Sequence, residues 1–315
     1  MKETYTNEIL SDFDDEINLR EIFDVLIQGK WIIVSITTFI TIIGIIYSLL
    51  LPNIYQSTAL LVPVEPSSSI SGSLGDMGGL ASLAGISLPS SGSDSNATKA
   101  INKLRSLSFF ENNILPHIFL PDLMALKSWD YKTNTLVYDP RIYNKSTNTW
   151  VRDYSYPEKQ IPSAQESFKE FAEEHIIISK DKKTGFITLS IKHESPFLAK
   201  QWAELVIREV NTFYRQKDKS ESQKSISYLN SQIAMTSLSE IKQVIAQLMQ
   251  KETQKLTLIE ANQFYVFDYI DPPAVMEEKA EPQRGLICIL SMLLGMMLSI
   301  IVVLIRHYGP RKEVL

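Results

Sequence analysis

The chain of 315 residues has one cysteine, Cys288, and only four histidines, His117, His175, His193 and His307. Cys288 falls inside an apolar run, so the rest of the chain has no disulfide to draw on. The histidines show neither HExxH nor any other ligand spacing, and no GxSxG elbow occurs. Residues 65–96 are rich in Ser and Gly but contain no Lys or Arg and no Gly-Lys-Ser/Thr ending, so they cannot cradle phosphate as a P-loop does. Glu173, Glu174 and His175 are adjacent in sequence, where neighbours point in different directions; a solvated face explains them better than acid–base work. Lys+Arg number 31 against 36 Asp+Glu, a net charge of −5 without a concentrated basic face, which argues against a nucleic-acid partner. These absences predict a protein that is not an enzyme and has no cofactor, no catalytic residue and no metal site.

Charge is missing altogether from two segments, residues 31–51 and 285–305, each 21 residues long. About 20 helical residues cross roughly 30 Å of hydrocarbon, and only an internally hydrogen-bonded helix satisfies its backbone in lipid. Both segments are therefore predicted to be transmembrane helices. The segment before the first carries eight acidic residues against Lys2, Arg20 and Lys30, unlike the basic start of a signal peptide, so the first run is expected to be an anchor. Arg20 and Lys30 precede it, no Lys or Arg occurs from Pro52 to Asn96, and Arg306, Arg311 and Lys312 follow the second run. Lys279 and Arg284 sit on the other side of that run. The positive-inside rule then places residues 1–30 and 306–315 in the cytoplasm and residues 52–284 outside. With 25 Lys+Arg and 27 Asp+Glu, this outer part is nearly neutral and must rely on its core.

Local patterns fill in the rest. Leu19, Ile22, Phe23, Leu26 and Ile27 follow Asn18 at helical spacing, an amphipathic helix lying on the inner leaflet or packing on a partner protein. Residues 55–64 read as a strand. The Ser/Gly stretch reads as a flexible loop or, through Leu80-Ala-Ser-Leu83-Ala-Gly85-Ile86, as an ordered contact segment between subunits. Residues 98–110 look helical. Trp129, Tyr131, Tyr138, Tyr143, Trp150, Tyr154 and Tyr156 favour aromatic packing on strands, with a glycan platform as the other reading. A helix over 168–174 precedes a hairpin with strands from 176–178 and 186–191 around Lys183-Thr-Gly185. Ser195 and Pro196 then cap a helix, and no Gly or Pro interrupts residues 197–271. Unbroken over about 196–261, such a helix would reach roughly 100 Å; a break near 218–222 or a return turn near 251–257 would shorten it. Glu204 and Arg208 are spaced for an i,i+4 ion pair. A last strand, 264–270, is closed by Pro272 and Pro273, and Pro282 precedes the second apolar run. The predicted class is a membrane protein of α+β type: two transmembrane helices flanking a periplasmic α/β base domain, with the two end strands in one sheet and a long helical protrusion. Within the spans, Gly44 and Ser48, and Ser291, Gly295 and Ser299, form small-residue rows at a spacing of four. Such rows let helices approach, within one chain or between chains, or simply face lipid.

In this order the features resemble those of a Wzz-type polysaccharide co-polymerase, the O-antigen or lipopolysaccharide chain-length determinant family. The resemblance rests on Lys183-Thr-Gly-Phe-Ile-Thr-Leu-Ser190, Ser195-Pro196, Trp202, Ser225-Ile-Ser-Tyr-Leu229, Phe264-Tyr-Val-Phe-Asp-Tyr-Ile-Asp-Pro272 and Gly79-Leu-Ala-Ser-Leu-Ala-Gly85. The chain departs from the pattern at Met276 and at Gln283-Arg284-Gly285, where such proteins often carry proline. The resemblance implies a non-enzymatic regulator in a bacterial inner membrane, with residues 52–284 in the periplasm. Such proteins form closed homo-oligomeric rings, often of about eight, and set the modal length of a lipid-linked polysaccharide made by a separate polymerase. A related branch serves capsule or exopolysaccharide export with a separate tyrosine kinase. The residues expected to carry oligomerisation or partner contact are Gly44, Ser48, Leu80, Leu83, Gly85, Pro272, Pro273, Pro282, Ser291, Gly295 and Ser299.

Overall fold

The computed structural model describes residues 19–64, 93–262 and 264–308. It divides into two compact units, one from the terminal segments up to Pro52 and from Glu281, the other Asn53–Ala280.

The terminal unit contains three helices: α1 (Leu19–Gln28), α2 (Lys30–Leu50) and, after the second unit, a long C-terminal helix, Arg284–Tyr308. The last two have the length and hydropathy of membrane spans, and only 6% and 17% of their most apolar windows are buried. A soluble core helix would cover that surface; these leave it to lipid. The two helices pack antiparallel, since Gly44 meets Ser291 while Thr37 meets Ser299.

In the second unit one antiparallel sheet has the order β6–β7–β1–β8, with β1 Tyr55–Pro63, β6 Ile176–Lys180, β7 Ile187–His193 and β8 Phe267–Asp271. The first and last strands of the chain are thus neighbours, as expected, in register Leu61↔Tyr269 and Pro63↔Phe267. Alternation sets the buried face: Ser57, Ala59 and Leu61 on β1 lie beside Ile187, Leu189 and Ile191 on β7. Thr58 and Ser190, paired on the other face, share a hydroxyl–hydroxyl hydrogen bond of 2.9 Å. The β6–β7 turn uses Gly185 at φ +73°, a left-handed conformation that favours glycine.

Helices cover the buried face. Between β1 and β6 come α3 (Ser93–Leu104), a turn capped by Ser106, two small hairpins (β2 Leu126–Asp130 with β3 Thr135–Tyr138; β4 Tyr143–Asn144 with β5 Thr149–Trp150) and α4 (Ala164–Glu170). The expected helix over 98–110 instead ends at Leu104, because the Ser106 side chain accepts from Phe109 N and starts a new turn. Of the aromatics of 129–156, Tyr138, Tyr143 and Trp150 pack on one another across the hairpins and Trp129 packs on Tyr55 and Phe197, while Tyr131, Tyr154 and Tyr156 are exposed.

After Ser195 comes α5 (Pro196–Met235), 40 residues and about 60 Å long. Its first half buries Ala199, Trp202, Ala203, Val206 and Val210 in the core that the sheet helps build. Its second half pairs with α6 (Ser239–Ala261), which folds back antiparallel: Lys219 meets Glu260, and Arg215 reaches the Asn262 carbonyl. The long helix is therefore broken at residues 236–238, not at 218–222 or 251–257. Thr236 and Leu238 adopt extended backbone there, and α6 buries Ile245 and Ile259. Two smaller expectations change as well. Glu204 pairs with Lys200 at 3.5 Å and Arg208 with Glu209 at 3.2 Å, in place of a Glu204–Arg208 bridge. The last strand starts at Phe267, not residue 264, because Asn211 takes the backbone of 265–267. The C-terminal helix Arg284–Tyr308 is α7.

Candidate functional site

In the terminal unit the small residues of both rows turn inward. Gly44, Ser48, Gly295 and Ser299 are buried between α2 and α7. A Cβ on Gly44 would collide with the Ser291 side chain; one on Gly295 would lie 3.1 Å from Thr37 Cα and 3.2 Å from Ile40 Cβ. Thr37 Oγ1 and Ser299 Oγ are 3.4 Å apart. Ser291 and Ser299 donate their hydroxyls to carbonyls one turn back, Ile287 at 2.8 Å and Met296 at 2.7 Å, which satisfies these two hydroxyls within their own helix. Of the two partners that the sequence left open, this seam joins the spans of one chain.

Gly29 belongs to the same seam and was not singled out from sequence. It separates α1 from α2, and a Cβ there would stand 2.6 Å from Val303 Cγ1 on α7. Val25, one turn earlier, is buried. A glycine at the junction of an amphipathic segment and an apolar run was the available signal. Phe23 and Ile27, from the predicted stripe, remain exposed.

The other expected contact residues are more scattered. Pro272 is exposed and Pro273 buried just beyond β8. From there the chain runs back beside the start of β1, with Ser57 Oγ donating to Ala274 O at 2.8 Å and Ala280 N to Ile54 O at 2.8 Å. Pro282 follows a cis peptide bond and is half-buried in the terminal unit. Leu80, Leu83 and Gly85 lie outside the described residues, as does most of the Ser/Gly stretch.

In the second unit, two features stand out that sequence reading did not find. The first is a groove of about 420 Å³ along α5, where Glu204, Arg208, Asn211 and Arg215 face Phe264 and Tyr269. The two rings meet edge to face with centroids 5.5 Å apart. Burial, followed by the nearby Glu204 carboxylate, raises the Tyr269 pKa, so its phenol stays protonated. The second is a buried pair of histidines against Trp202, His193 at 4.7 Å and His175 at 5.4 Å between ring centroids. His193 Nδ1 accepts from Ser195 N at 3.0 Å, so Nε2 carries the proton and donates to Asp122 O at 3.3 Å. Burial pushes the His193 pKa down to about 3, and burial lowers that of His175. Both imidazoles are neutral structural pins for the start of α5. Asp122 accepts from Tyr138 Oη at 2.6 Å, but burial outweighs this and raises its pKa. No group of three or more metal-ligating side chains occurs among the described residues.

The α5–α6 hairpin exposes apolar side chains: Tyr228, Met235, Leu238, Ile241, Val244 and Leu248.

A family model described as "Chain length determinant protein" (Wzz) matches residues 15–111. A second, described as "G-rich domain on putative tyrosine kinase", matches residues 237–308. No curated protein matches the chain. Among solved structures, a full-length bacterial polysaccharide co-polymerase is similar at 13% identity and TM-score 0.39, covering 93% of this chain and 100% of its own. A fragment of WzzB, polysaccharide co-polymerase from Salmonella Typhimurium, gives 13% and 0.28, covering 73% and 100%. At these scores neither likeness bears on the fold, and the assignment rests on the sequence models. Each of the two encloses one of the apolar helices, and over residues 15–111, which include α2, the chain is similar to the Wzz chain length determinant family.

Proposed function

We propose that this protein is a non-enzymatic regulator that assembles with copies of itself in a bacterial inner membrane and sets the modal length of O-antigen made by a separate polymerase. The observation that carries this reading is the chain length determinant match over residues 15–111. Its two ends are cytoplasmic and residues 52–284 periplasmic, supported by the Lys and Arg distribution and by the antiparallel pairing of α2 and α7, which puts Lys30 and Tyr308 at the same end of the pair. The α2–α7 seam makes each subunit's anchor a rigid pair, and the exposed apolar stripe of the α5–α6 hairpin offers a face for a neighbour. Leu80, Leu83, Gly85, Pro272, Pro273 and Pro282 are further candidates for subunit or polymerase contact. A ring of about eight follows from the family resemblance.

A second reading, export of capsule or exopolysaccharide with a separate tyrosine kinase, draws on the match of residues 237–308 to a domain named for such a kinase. Deleting the gene separates the two. The O-antigen reading expects lipopolysaccharide still made but with its band lengths randomised on a gel. Unchanged lipopolysaccharide with altered capsule would favour the second reading, and loss of all polymer would contradict both.

A further inference from the structure

Assembly gives no role to the groove along α5. Its helical wall carries Arg208 and Arg215 two turns apart on one face, with Thr212 between them. Two guanidinium groups against the single Glu204 carboxylate give the lining a net charge of +1. Glu204 is itself engaged by Lys200 at 3.5 Å. Arg208 is 62% exposed and meets Glu209 through Nε at 3.2 Å, while Arg215 donates through Nη2 to Asn262 O at 2.5 Å. The opposite wall is aromatic, with the Phe264 and Tyr269 rings perpendicular. Asn211, only 7% exposed, fixes that wall by binding the backbone of residues 265–267. The backbone leading into Tyr269 on β8 is therefore held by the fold.

The volume, about 420 Å³, is within the range of small-ligand sites, whose apolar walls carry a few placed polar groups. A guanidinium fork matches a carboxylate, while the flat C–H face of a pyranose matches an aromatic ring, and ring hydroxyls match Thr212 and the Tyr269 phenol. A simple anion would leave the aromatic wall unused; a purely apolar ligand would make no use of the guanidinium groups, which keep donors beyond those given to Glu209 and the Asn262 carbonyl. We propose that this groove binds a sugar acid, a uronate residue within an oligosaccharide, with its carboxylate held by Arg208 and Arg215, its ring face against Phe264 and a ring hydroxyl at the Tyr269 phenol. The co-polymerase reading supplies only the source of such a ligand; the chemistry comes from the lining itself.

The test is calorimetric titration and saturation-transfer NMR of the full chain in detergent. The probes are a glucuronate-containing tetrasaccharide, the neutral tetrasaccharide maltotetraose, and inorganic phosphate at equal ionic strength. Saturable binding of the acidic sugar is expected, with at least tenfold weaker binding of the neutral one. Losing a charge-assisted hydrogen bond makes Arg208→Gln at least tenfold weaker too, and Phe264→Ala should weaken the acidic sugar without making phosphate a better ligand. Circular dichroism checks that each variant folds, and Thr212→Val, which removes one hydroxyl and no charge, serves as a milder second probe. No binding by the unaltered chain, equal binding by Arg208→Gln, or full competition by phosphate overturns the proposal. So does binding that appears only after the oligomer is dissociated, since the groove would then be a contact between copies. None of these outcomes changes the lipopolysaccharide pattern of a deletion strain, so this inference can fail while the proposed function stands.

Discussion

The Asn211 side chain grips Phe267 from both sides: Oδ1 accepts from Phe267 N at 3.0 Å, and Nδ2 donates to Phe267 O at 3.0 Å. The same Oδ1 accepts from Val266 N at 2.7 Å and Tyr265 N at 3.2 Å. One amide on α5 thus supplies the turn into β8 with four backbone partners. Without it, donors and an acceptor in the core would be left bare.

Asn211→Leu should cost about 3 kcal/mol or more, because an unsatisfied buried polar group costs roughly 1–3 kcal/mol and several are created. Asn211→Asp keeps the acceptor and loses the donor to Phe267 O, so it should cost less, and its deficit should shrink as pH falls and the carboxyl regains a proton. Urea unfolding of the full chain in detergent, followed by near-UV circular dichroism, ranks the two.

Gly44→Leu should open the α2–α7 seam, since even a Cβ at that position meets Ser291. In a Cys288→Ser background, cysteines replacing Thr37 and Ser299, whose side-chain oxygens are 3.4 Å apart, should form a disulfide readily. Adding Gly44→Leu should lower that yield. Gly285→Leu, with no neighbouring atom within 4 Å of the added Cβ, should leave it unchanged.

Acid should weaken the second unit through its histidines. The folded pKa of His193, about 3, lies below the ordinary 6.5, so the protein binds fewer protons folded than unfolded. The neutral ring's contribution is whole above pH 6.5 and declines as pH falls toward 3; by pH 5 the loss is roughly 2 kcal/mol, with His175 adding in the same direction. Asp122, Glu170 and Glu194, whose pKa values burial raises, act oppositely: their contribution is present at low pH and lost as pH rises through their folded values. Glu194 Oε2 lies 3.8 Å from His193 Nδ1. His193→Gln should flatten the melting-temperature profile between pH 7 and pH 5 measured on the full chain.

Val244→Glu and Leu248→Glu on α6 replace exposed apolar side chains, so each should leave the melting temperature within a few degrees. If the hairpin faces a neighbour, both should shift the particle mass in detergent toward the monomer, as read by light scattering.

Much of this architecture was legible because it follows from runs and periods. Uncharged runs of span length gave α2 and α7, and Lys183-Thr-Gly185 gave the β6–β7 turn. The break at residues 236–238 was not legible. No Gly or Pro marks it, and the helix stops because α6 gains burial of Ile245 and Ile259 by folding back; Thr236 and Ser237, which compete locally for backbone bonds, were the only hint. Asn211 was hidden as well. In sequence it is one polar residue beside Val210 and Phe213, and only its tertiary partners 54–56 residues away make it a clamp. The small-residue rows were visible, but which helix they face depends on a register between residues some 250 positions apart, as with Thr37 and Ser299.

The central claim is that the protein acts by assembling, without chemistry of its own. Electron microscopy of the full chain purified in detergent tests it most directly. The account predicts closed rings of one uniform subunit number, lost in Val244→Glu; monomers at all concentrations, with no higher assembly in detergent or in nanodiscs, would contradict it.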